Sequence, residues 1–134
     1  MATRSQTATG ILSDAQSAKR AEILDLLRQA YWMEMETVMS YLANASHLDG
    51  VRAEEIAEAL NADVDEELGH ARRFAERIKE LYGTPPGSQD FTAQQTYLQP
   101  QDDATDVASV IRGVIQAESG AIEHYLPIIE ACVG

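Results

Sequence analysis

With only one cysteine, Cys132, the chain can form no internal disulfide, so packing has to hold the fold. Basic residues are also scarce. Ten Lys and Arg stand against 22 Asp and Glu, and the resulting formal charge of −12 repels phosphate backbones and attracts cations. This excludes nucleic acid as an expected partner. No apolar run is long enough to cross a bilayer and the N-terminus is not signal-like, so no membrane partner is expected and a reducing cytoplasm is the expected compartment. Aromatic residues make up only 6% of a chain that is 45% hydrophobic, which leaves an aliphatic core, and 134 residues suffice for a single domain.

Three long stretches keep helical periodicity. The first runs over about 13–47 and opens at Ser13, whose spacing to Gln16 fits a capping box. Asp49-Gly50 then makes a tight turn, and the second stretch covers about 51–82, closed by Gly83 and blocked by Pro85-Pro86. A polar connection over 83–104 is long enough to run the length of a bundle and let the third helix, about 105–132, lie parallel to the second. Residues 1–12 lack periodicity and read as a flexible arm before a helical domain over 13–134. The expected fold is all-α, a bundle of three long helices with a long crossover between the second and third.

The apolar stripes decide which polar residues face inward. The first helix buries Ile23, Leu27, Ala30, Glu34, Val38, Tyr41 and Ala45; the second buries Ile56, Leu60, Asp63, Glu67, His70, Phe74, Ile78 and Leu81. The third buries Val107, Ile111, Val114, Glu118, Ala121, Tyr125, Ile128 and Cys132. Each helix therefore carries a carboxylate at the middle of its inward face. Glu67 and His70 stand three residues apart, so both can reach one point.

An ionised carboxylate in a low-dielectric core needs a proton, a cation or a metal, and these stripes offer no Lys or Arg. Iron or manganese suits three carboxylates and an imidazole better than zinc, which favours cysteine and histidine. Other polar residues fit less well. Glu36 sits about 200° around the helix from Glu34, and Glu123 and His124 point away from Glu118, so all three read as solvent-facing. Asp63, one turn before Glu67, is either a hydrogen-bond partner of the site or the edge of the stripe. His47, Trp32 and Met33 read as packing or surface residues, and Cys132 as a small buried apolar residue.

The first and third helices look like copies, since Glu34 precedes Tyr41 by seven residues and Glu118 precedes Tyr125 by seven. With an offset of 118 − 34 = 84, the copies of Glu67 and His70 would fall near 151 and 154, beyond Gly134.

Glu34 with Tyr41, the run Asp65-Glu66-Glu67-Leu68-Gly69-His70-Ala71-Arg72-Arg73-Phe74, and Glu118 after a long crossover resemble the bacterioferritin and wider ferritin-like di-iron family over about 15–132. The resemblance implies that Glu34, Glu67, His70 and Glu118 are metal ligands, with Glu67 bridging two irons. It places Tyr41, and by the repeat Tyr125, beside the metals. Bacterioferritins carry a haem-ligating Met directly after the bridging Glu, where this chain has Leu68, so haem is not expected. The family's fourth helix, with a second Glu-x-x-His pair, is absent from the sequence; four of about six ligands are present, and an apolar trough is left for a partner, which implies a homo-oligomer.

The implied reaction is oxidation of ferrous iron at a di-iron site, for storage or detoxification. A di-iron or di-manganese oxidase or peroxide-handling enzyme, or a non-catalytic helical interaction module, are the alternatives. The absence of an evident organic-substrate pocket favours iron oxidation.

Overall fold

The computed structural model describes residues 9–133 and is all-helical, without strands among the described residues. Three long helices form it: α1 (Ser17–His47), α2 (Ala53–Glu80) and α3 (Val107–Cys132). Most of the expected arm, residues 1–8, lies outside the described residues. Gly10–Leu12 is not loose, however. It forms a 3-10 turn whose Ile11 and Leu12 pack on the core, and Arg20 donates to the carbonyls of Ile11 and Ser13, both at 3.0 Å.

α1 starts at Ser17 rather than Ser13. The Ser13 hydroxyl donates backward to Gly10 O at 2.8 Å instead of capping the helix, so the capping box does not form and a second 3-10 turn, Asp14–Gln16, precedes α1. Gly50 takes φ 113° in the turn between α1 and α2, a conformation that side-chain-bearing residues avoid. α2 carries Glu54 and Glu55 in its first turn and Arg77 and Lys79 in its last, as the helix dipole favours. α3 is capped by Asp106, whose carboxylate accepts from Ser109 N at 3.0 Å and Ser109 Oγ at 2.6 Å.

α1 is the central element, packed on α2 along its length and on α3. One core cluster joins Val38, Tyr41, Leu60, Val64, Val110 and Ala117, and a second joins Ile23, Leu27, Ile78, Leu81 and Ala131 at the opposite end. The crossover lies along α1. Its Leu98 is buried, and Gly113 of α3 sits so close that a Cβ there would stand 3.0 Å from Leu98 Cα.

Two inward faces differ from the sequence reading. α3 buries Val110, Gly113, Ala117 and Ala131, while Ile111 and Cys132 are exposed. α3 packs mainly on α1, with Tyr125 against Phe74 of α2, so only the side turned to these helices is covered. Ile115, Ile122, Leu126 and Ile129 are each more than half exposed and form one unpartnered apolar face. α1, in turn, has a second buried side: Glu36, Thr37, Ser40 and Asn44 lie under the crossover.

Candidate metal centre

Glu34 comes from the middle of α1, Glu67 and His70 from the middle of α2. Both carboxylates are buried, at 4% and 7% exposure, and His70 is half-buried. One ligand atom from each of the three lies within 4.8 Å of the other two. His70 Nδ1 stands 3.2 Å from Glu67 Oε2 and 3.8 Å from Glu34 Oε2. Together with Glu118, Tyr125, Thr37 and Met33 they line a cavity of about 50 Å³, room for an ion and little more.

Glu118 differs from the sequence reading in one respect. Its residue is exposed rather than buried, because α3 has no neighbour on that side and Glu118 lies between the exposed Ile115 and Ile122. It still borders the same cavity, and its Oε1 accepts from the Tyr41 hydroxyl at 3.1 Å. Tyr125 makes the reciprocal bond, its hydroxyl donating to Glu34 Oε1. The Tyr125 ring packs on Phe74 of α2 at 5.6 Å between centroids.

Among the described residues neither Glu34 nor Glu67 has a Lys or Arg partner; the His70 imidazole is the nitrogen group beside both. Burial pushes the Glu34 carboxyl up to about 7, with the neighbouring Glu118 adding repulsion and His70 partly offsetting it. Glu67 is raised for the same leading reason, burial, with Glu118 again contributing. Burial and the Glu118 charge also push the Tyr41 phenol well up, which keeps it a donor. Two buried carboxylates and an imidazole converging on one point are a donor set fitted to a divalent metal.

The remaining residues sort as follows. Asp63 is half-buried and raised, first by burial and then by Glu66. His124 is not purely solvent-facing: its Nε2 lies 3.2 Å from Leu26 O, while Glu123 is exposed. Glu36 is the clearest miss. It is buried at 7% and accepts from the backbone N–H groups of Gln94 at 2.9 Å and Gln95 at 2.7 Å, so it fastens the crossover rather than facing water. The overlooked signal was the run of small polar residues Thr37, Ser40 and Asn44 on the same side of α1, a pattern that a covering segment satisfies. Asn44 Nδ2 donates to Leu98 O at 2.8 Å.

Bacterioferritin of Desulfovibrio desulfuricans is 27% identical over 117 residues, which cover 85% of this chain and 59% of that protein. The match thus spans about three fifths of the relative's length. No solved structure matches the sequence significantly. The family described as the ferritin-like domain matches residues 24–134, which take in most of α1 and the whole of α2 and α3, and the chain belongs to that family.

Proposed function

We propose that the chain is an iron-handling ferritin-like protein that takes ferrous ions at Glu34, Glu67, His70 and Glu118 and passes their electrons to dioxygen, for storage or detoxification. The observation that carries this is the meeting of Glu34, Glu67 and His70 within 4.8 Å, where among the described residues neither buried carboxylate has a Lys or Arg partner. A divalent cation there would offset the cost that burial puts on the carboxylate charges. Glu67, buried beside His70 and close enough to Glu118 to feel its charge, is the residue that would bridge two ions if two bind.

Ferrous iron is the substrate. Two ferrous ions each give up one electron, and dioxygen with two protons takes both to become hydrogen peroxide. The anionic oxygen set favours the ferric product. Tyr41 and Tyr125 hold Glu118 and Glu34 by one oxygen each, which leaves the other oxygen of each carboxylate for the ion. Manganese suits the same donors.

A further helix laid on Ile115, Ile122, Leu126 and Ile129 would cover the open side of Glu118, which favours a homo-oligomeric or larger assembly. The test is anaerobic ferrous titration of the protein followed by admission of air. Saturable binding with absorbance of ferric product is expected, and binding lost in Glu67→Ala and His70→Ala. Unchanged binding in those variants would overturn the proposal.

A further inference from the structure

Thr37, about one turn beyond Glu34 on α1, lines the metal cavity and is buried at 8% exposure. Its hydroxyl can donate one hydrogen bond as well as accept. Thr37 Oγ1 accepts from Gln95 Nε2 at 3.0 Å, and among the described residues its own hydrogen has no acceptor. A buried donor left unpaired costs free energy, so that hydrogen wants a partner.

The crossover decides how the hydroxyl is turned. Gln95 Nε2 also lies 3.5 Å from Met33 O, which fixes the amide with its nitrogen toward α1, because its oxygen there would face a carbonyl. Glu36 holds the backbone N–H groups of Gln94 and Gln95, so Gln95 is anchored by main chain and side chain alike. With Gln95 on one lone pair of Oγ1, the O–H turns away from the crossover. Tyr125, the other hydroxyl lining the cavity, already gives its hydrogen to Glu34, and Met33, Ala117 and Ala121 in the same wall are apolar.

Oxidation of ferrous iron by dioxygen puts negative charge on oxygen. The carboxylates of Glu34, Glu67 and Glu118 oppose that charge, whereas a fixed hydroxyl donor attracts it. A water needs about 10–15 Å³ of such space, so about 50 Å³ admits a diatomic molecule beside an ion.

We propose that Thr37 donates a hydrogen bond to dioxygen as it is reduced in the cavity, and that Gln95 is the positioning residue that turns the Thr37 hydroxyl toward it. The proposal rests on the reading of Glu34, Glu67 and His70 as the ferrous site. Thr37 keeps its proton in this role; the two protons of hydrogen peroxide come from solvent.

Cobalt(II) and azide, a small anion that accepts hydrogen bonds, are the probes. The full chain is loaded with cobalt(II) and azide is titrated against the visible absorbance of the metal, beside a ferrous titration without air. Thr37→Val keeps the side chain's shape and should bind ferrous ion within about twofold of the unaltered chain, while azide affinity falls about fivefold to tenfold. Thr37→Ser should restore azide affinity, and Gln95→Leu should lower it with Thr37 still in place. Azide affinity unchanged in Thr37→Val, or not restored by Thr37→Ser, would overturn the role of Thr37, as would ferrous affinity falling as far as azide affinity. Azide affinity untouched in Gln95→Leu would overturn the role of Gln95. An unaltered chain that binds no ferrous ion would overturn the reading of the site itself, and this proposal with it.

Discussion

Tyr41 on α1 donates to Glu118 on α3 at 3.1 Å, and Tyr125 on α3 donates back to Glu34 on α1. The two bonds cross because the helices run antiparallel and each carries Glu and Tyr seven residues apart, two turns along one face. The Glu-to-Tyr repeat visible in the sequence is therefore the imprint of one reciprocal contact.

Removing either hydroxyl should separate packing from metal affinity. Tyr41→Phe and Tyr125→Phe keep the rings and are expected to cost about 1 kcal/mol of stability each. Ferrous affinity should drop more in Tyr125→Phe, whose partner Glu34 belongs to the tight three-residue cluster. Thermal unfolding and iron titration of both variants check this, and equal affinity in the two would count against the ranking.

The raised Glu34 carboxyl gives a pH dependence of definite sign. Its value of about 7 in the fold exceeds the ordinary 4.5, so the folded chain binds a proton that the unfolded chain releases. That contribution to stability is present below pH 4.5 and is lost as pH rises through 7. The metal-free chain should melt at lower temperature at pH 8 than at pH 5, and Glu34→Gln should flatten the slope. Ferrous affinity should run the other way, rising with pH through 7, because protons compete with the ion. Calorimetry at several pH values reads the first effect and titration the second.

Glu36 fastens the crossover to α1. Glu36→Ala removes two charge-assisted bonds and is expected to destabilise the fold by about 2–4 kcal/mol, with faster hydrogen exchange at the Gln94 and Gln95 amides. Slow exchange at both amides in the variant would show that something else holds the loop.

Gly113 keeps α3 against the crossover. Gly113→Ala drives a Cβ to 3.0 Å from Leu98 Cα and 3.2 Å from Leu98 N, both backbone atoms with little room to give. A loss of about 1–3 kcal/mol is expected by thermal or denaturant unfolding; a neutral or stabilising result would mean that the crossover shifts freely.

How much of this was readable beforehand follows from which surfaces the sequence can reveal. Ile23, Leu27, Ala30, Glu34, Val38 and Tyr41 were legible as one face because α1 meets α2 along its length, and a continuous neighbour writes a continuous stripe. Glu34, Glu67 and His70 stood out as polar breaks in such stripes. Glu36 did not, because what buries it is an irregular loop, which imposes no period on the helix below. Ile111 and Cys132 were placed inward because α3 carries apolar residues on the side toward α1 and on the open side alike, and a stripe cannot say which side finds a partner.

The central claim is that Glu34, Glu67 and His70 act together as a metal site. The most direct measurement is ferrous binding by anaerobic titration with elemental analysis, on the unaltered chain and on Glu67→Gln, which keeps the side chain's shape and removes its charge. At least one iron bound tightly per chain, and a loss of tenfold or more in Glu67→Gln with the helical spectrum intact, is the predicted result. Iron binding that is absent from the unaltered chain, or untouched by the substitution, would contradict it.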